Sequence, residues 1–153
     1  MSRMIFVNLP VKDLERSKGF YEAIGFRNEP KFTNDAAAMM VLSDTISVML
    51  LTRPFYATFT SKPIADAQSS SQVLLCISCD SPAEVDRITD AAGAAGGKID
   101  VSQEDQTKGG PMYGRDFEDP DGHQWEPMWM DPAFAEKGAH PVEDSAQSTA
   151  VSA

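Results

Sequence analysis

Two stretches of this chain repeat one another. Residues 4–25 read as strand, capping aspartate, helix and glycine stop, and residues 72–97 read the same way when Asp13 is laid on Asp80, an offset of 67. Three strand-like pieces follow the helix in each copy. A unit of this kind cannot bury its apolar face alone, so two copies in one chain specify paired modules around a shared core. The expected fold class is α+β: two βαβββ modules whose strands form mixed sheet.

In the first copy MIFVNLPV is a strand, Asp13 offers an N-cap, and Leu14, Phe20, Tyr21 and Ile24 share a helical face ended by Gly25. Strands over 26–33, 36–42 and 46–52 follow. In the second copy residues 72–79 form the strand. Ser81, Pro82 and Glu84 supply a cap, a first-position proline and a capping-box acid, and Gly96-Gly97 ends the helix. A strand over 98–102 and a hairpin over 111–131 complete it. The boundaries expected are a single domain over 1–131, with module one at 3–55, a connector at 56–71, module two at 72–131, and a flexible tail at 132–153.

The connector crowds Phe55, Tyr56 and Phe59 together before a serine run at 69–71. Those rings either plug the edge of the core or form one lip of a ligand pocket, because binding residues favour loops on a rigid scaffold.

The hairpin PMYGRDFEDPDGHQWEPMWMD carries the densest chemistry. Its turn is Asp119-Pro120-Asp121-Gly122, where proline presets φ and glycine tolerates a positive φ. A four-residue turn sets Glu118 opposite His123, Phe117 opposite Gln124, Arg115 opposite Glu126 and Tyr113 opposite Met128. One face then holds Tyr113, Arg115, Phe117, Gln124, Glu126 and Met128. The other holds Trp125 and Trp129 for packing on a helix. An acid such as Glu126 among large apolar groups is paired, metal-bound or working. An Arg115–Glu126 pair either neutralises the acid or anchors a ligand.

Net charge of −10 argues against nucleic acid or an anionic membrane surface as partner. No apolar run approaches a membrane span and no leader is evident, so a cytoplasmic protein is expected. Cys76 and Cys79 form a C-x-x-C string, but on a strand such residues point to opposite faces and read as buried apolar side chains.

The duplication, the F-V-N-L-P-V-K-D entry into the first helix and the D-P-D-G-x-x-x-E ending resemble the vicinal oxygen chelate superfamily. That group includes glyoxalase I, extradiol dioxygenases, and fosfomycin and bleomycin resistance proteins. The resemblance implies that the two βαβββ modules form a cup-shaped mixed sheet, with a divalent ion held in the cup by about four ligands at set strand positions. Here those positions correspond to Phe6, to Val48 or Met49, to Leu74 and to Glu126. Three of them are apolar, and a first-row ion needs several N, O or S ligands. No cofactor is therefore expected, with a divalent metal as the alternative.

The expected function is a glyoxalase/bleomycin-resistance-like protein binding a small, partly apolar molecule in the cup. The alternative is a lyase or dioxygenase of the glyoxalase type, with a non-standard metal site or metal-free acid–base chemistry on Glu126. The expected ligand-binding set takes Phe6, Asn8, Met49 and Leu74 from the strands and Phe55 and Tyr56 from the lip. Tyr113, Arg115, Gln124, Glu126 and Met128 join it from the hairpin, with Glu126 the catalytic candidate. The open strand edges and the lip call for a homodimer.

Overall fold

The computed structural model describes residues 2–103 and 110–138. Module one runs β1 (Ile5–Val11), α1 (Leu14–Ala23), β2 (Arg27–Glu29), β3 (Ala37–Val41) and β4 (Ile46–Thr52), and α2 (Arg53–Tyr56) leads into the connector. Module two runs β5 (Leu75–Ser78), α3 (Pro82–Ala94), β6 (Lys98–Ile99), β7 (Met112–Gly114), β8 (Phe117–Glu118) and β9 (Gln124–Met130), followed by α4 (Pro132–Lys137). Each module builds its own sheet, in the orders β1-β4-β3-β2 and β5-β9-β8-β6, with β7 also pairing β9. In both, the first strand lies parallel to the last and the remaining pairs are antiparallel.

The caps form as the sequence dictates. The Asp13 carboxylate accepts from the Arg16 amide, the Ser81 hydroxyl accepts from the Glu84 amide, and Pro82 opens α3. Gly25 and Gly96 leave the two helices at φ +110° and +99°. The cap of α3 is Ser81, so the two modules superpose with Asp13 on Ser81, 68 positions apart. That corrects the offset of 67 taken from Asp80 and sets Phe6 equivalent to Leu74.

Three strands are shorter than expected. Residues 26–33 yield only β2, because Pro30 cannot donate to a ladder and begins a 3₁₀ turn over Pro30–Phe32. β5 begins at Leu75, since its partner Trp125 is already the second residue of β9. β6 stops at Ile99, where Asp100 takes φ +54° and the Val101 and Ser102 amides turn to the Asp116 carboxylate. The tail, expected to start irregularly at 132, first forms α4 with Asp131 as its cap. Residues 139–153 lie outside the described residues.

α1 and α3 each cover one face of their own sheet, and a single buried cluster joins the modules. Its centre is aromatic. Tyr21 meets Phe20, Phe26 and Trp125 edge to face at centroid distances of 5.3, 5.2 and 6.0 Å. The polar atoms of Tyr21 and Trp125 at this centre are satisfied. Trp125 Nε1 donates to Tyr21 Oη at 3.0 Å, and Tyr21 Oη donates to Asp119 Oδ2 at 2.7 Å.

Burial first, and then the charge of Asp119, hold the Tyr21 hydroxyl well above its ordinary pKa. A group raised in this way contributes its full stability below its unfolded pKa, about 10 for tyrosine. The contribution is lost as pH rises beyond that value, where only the unfolded state releases the proton. Unfolding free energy is therefore expected to fall on the alkaline side of about pH 10. Tyr21→Phe should flatten that limb and cost roughly 1–3 kcal/mol at neutral pH, because Asp119 loses a donor. Denaturant melts across pH measure both; an unchanged alkaline limb in the variant contradicts the assignment.

Candidate functional site

The hairpin register decides which side chains share a face. Glu118 lies opposite Gln124 and Phe117 opposite Trp125. β7 keeps the same register, with Tyr113 opposite Trp129 and Gly114 opposite Met128. The loop therefore has five residues, 119–123, one more than the sequence suggested. Its cause is Asp119, whose Oδ1 accepts from the Asp121 and His123 amides, both at 2.9 Å. This Asx arrangement takes His123 into the loop. His123 Nε2 then donates to the Pro10 carbonyl at 2.8 Å.

A slip of one residue exchanges faces. Gln124, Glu126 and Met128 keep the side away from the helices, as expected, and Trp125 and Trp129 keep the helix side. Phe117, Tyr113 and Arg115 change sides. Phe117 is fully buried in the core. Arg115 meets Asp86 and Asp90 of α3 at 3.1 and 3.0 Å, and it grips both oxygens of Asp100. The Tyr113 hydroxyl donates to Asp86. The expected Arg115–Glu126 pair is thus replaced by a guanidinium shared among three aspartates, which raise its pKa further.

Glu126 instead lies opposite Cys76 across the parallel β5–β9 pair. Its carboxylate makes no hydrogen bond or ion pair with any other described residue. Burial first, and then the Glu126 charge, raise the exposed Cys76 thiol. Cys79 is buried and pushed up to about 11 by burial and by Glu84. Both thiols are free, with Cys79 in the core cluster and Cys76 outside it.

Of the positions set by the family pattern, Val48 packs in the core, which leaves Met49 facing away from the helix. Phe6, Met49, Leu74 and Glu126 are then matching positions of the two modules. Among the described residues no three His, Cys, Asp or Glu side chains come together as metal ligands. A donor set of one carboxylate with Phe, Met and Leu does not fit a resident divalent ion.

A cavity of about 510 Å³ opens at one end of this face. Of the expected residues, Asn8, Tyr56 and Gln124 line it, while Phe6, Met49, Phe55, Leu74, Glu126 and Met128 do not. Phe55 instead stacks edge to face on the exposed Phe59 at 5.0 Å. The walls the sequence did not reveal are Glu118, His123 and the connector around residues 65–73. The connector is clamped to the hairpin turn. Gly122 has φ +94°, and a Cβ there would lie 2.7 Å from the Ala67 carbonyl carbon and oxygen. Gln68 Nε2 donates to the Pro120 carbonyl at 3.0 Å.

A family model described as the Glyoxalase/Bleomycin resistance protein/Dioxygenase superfamily matches residues 3–126. Among curated proteins none matches. Solved structures do. A hypothetical protein from S. aureus is 23% identical with a TM-score of 0.68, over 84% of this chain and 94% of that one. A glyoxalase/bleomycin resistance protein/dioxygenase family enzyme from Burkholderia phytofirmans PsJN is 17% identical with a TM-score of 0.66, over 84% and 99%. A glyoxalase-related enzyme from Fulvimarina pelagi is 20% identical with a TM-score of 0.65, over 84% and 88%. At these identities the likeness is one of fold.

The register makes Arg115 and Glu126 energetically independent. Arg115→Met is expected to cost roughly 1–2 kcal/mol, since its three partners are half-exposed and screened. Glu126→Gln should stay within about 0.5 kcal/mol. The double variant should equal the sum to within about 0.5 kcal/mol in denaturant melts. Coupling well beyond that would restore a direct pair.

Proposed function

Since the chain belongs to the glyoxalase/bleomycin resistance protein/dioxygenase superfamily, we propose that it acts as a small-molecule-binding member, taking a partly apolar ligand in the cavity beside β1 and β9 without a resident metal. One observation carries this reading. The cavity has the size of small-molecule sites, and more of its wall area is apolar than polar, with Asn8, Glu118 and Gln124 among its polar side chains. The donor set at the family's metal positions supports the metal-free half of the proposal. Membership alone does not assign a reaction.

A thermal-shift screen of small hydrophobic and thiol-conjugated compounds, run with and without chelator, tests the reading. Binders are expected, their shifts unaffected by chelator. Val73→Trp, placed on an exposed wall position, should abolish the shifts while leaving the unliganded melting temperature nearly unchanged. Binding that needs a divalent ion, or that ignores Val73→Trp, would sink the proposal.

A second reading rests on Glu126, which no described side chain neutralises. In that reading it is the base of a metal-free lyase or isomerase-like proton transfer. Turnover that vanishes in Glu126→Gln without loss of stability would establish it.

The homodimer belongs to the same proposal. Ile5 and Phe6 on β1, and Leu74 before β5, are each about half exposed, at 46–56%. β1 and β5 are also the outer strands of their sheets, and such edges invite a partner. Light scattering at micromolar concentration should give twice the chain mass; a monomer there contradicts the proposal.

A further inference from the structure

We infer that the cavity takes an organic cation: a primary or secondary amine on a small aliphatic or aromatic body, with its ammonium seated on Glu118. This rests on the small-molecule reading above and adds the charge of the ligand.

The first ground is the charge of the wall. Among the described residues that line the cavity, Glu118 is the one carboxylate, and none is Lys or Arg. Glu118 is partly buried on β8, between Lys98 of β6 and Gln124 of β9. Lys98 is exposed and makes no ion pair with it. Among the described lining residues no Lys or Arg offsets the carboxylate, so an anionic ligand meets a like charge and a cation meets its complement.

The second ground is hydrogen-bonding capacity. The side chains of Asn8, Glu118 and Gln124 make no hydrogen bond with any other described residue. His123 is occupied through Nε2, which donates to the Pro10 carbonyl at 2.8 Å. An ammonium brings three donors and no acceptor. A carboxylate and two amide oxygens are the complement it needs.

The apolar part of the remaining wall suits the body of such a molecule, beside the polar connector run from Gln68 to Gln72. Val7, Leu9, Val73 and Leu75 are apolar, and Tyr56 adds a ring of the kind that attracts cations. The hollow beyond Ala67 and Gln68 provides a contrast. There Lys12, Arg16 and Arg53 stand with Asp13, Asp66 and Asp121, so the charges cancel and no sign is preferred. Of these two hollows, the Glu118 side is the one whose charge selects.

Benzylamine, benzyl alcohol and benzoate share a body and differ in charge, which makes them suitable probes of the full chain. In amide NMR titrations benzylamine should shift the Asn8, Val73 and Gln124 signals. It should bind about ten-fold more tightly than benzyl alcohol, and benzoate should bind least. Added salt should weaken the amine and leave the alcohol unchanged. Glu118→Gln should bring the amine to the level of the alcohol; unchanged alcohol binding in that variant shows that its cavity is intact. Equal affinities for amine and alcohol, tighter benzoate, or an amine indifferent to Glu118→Gln overturns the charge assignment and leaves the small-molecule reading standing. If none of the three probes moves these signals, both fall.

Discussion

Tyr21 and Asp119 come from opposite ends of the chain and share one proton deep in the protein. The Tyr21 hydroxyl gives its hydrogen to Asp119 and accepts one from the Trp125 indole. Much follows from that contact. It fastens the turn of the second module onto the helix of the first, and the surrounding rings of Phe20, Phe26 and Phe117 complete the shared core. The carboxylate tolerates burial because its other oxygen is held by two loop amides. Burial raises its pKa, while His123 and the Tyr21 hydrogen bond act in the opposite direction. The same side chain thus joins the modules and shapes the loop that delivers His123 and Gln124 to the cavity.

The sequence revealed the modules because their signals are local. Asp13, Ser81, Pro82 and the two stop glycines act within one helical turn of themselves, and the structure uses each as its chemistry requires. Alternation along β9 correctly separated Trp125 and Trp129 from Glu126. Alternation cannot count loop residues. Asp119 accepts two amides instead of one, and that lengthened the turn and moved Arg115 from the polar face to α3. Strand ends were likewise set by partners: β5 has none before Leu75, and Asp116 draws away the amides that would have extended β6.

The candidate site was legible in a different proportion. That Phe6, Met49 and Leu74 bring no nitrogen or oxygen donor to a divalent ion is plain from residue types once the strand faces are known. The cavity was hidden, because its wall combines β1, the connector, β8 and the hairpin loop, segments far apart in the sequence. The connector has no periodicity to betray which residues point inward. Glu118 sat one register step from being noticed.

The clamp between Gly122 and the Ala67–Gln68 backbone divides the connector into two stretches with different freedoms. Residues before Ala65 span from α2 to the clamp and touch little of the cavity wall. Residues from Ala67 to Val73 run from the clamp to β5 and form that wall. Length variation should therefore be unevenly tolerated. An insertion before the clamp lengthens a surface loop, at a closure cost that grows only with the logarithm of its length. One added residue after it must either lift the backbone off Gly122 or push into the cavity. In related chains with the same turn glycine, the distance from clamp to β5 is the length to compare.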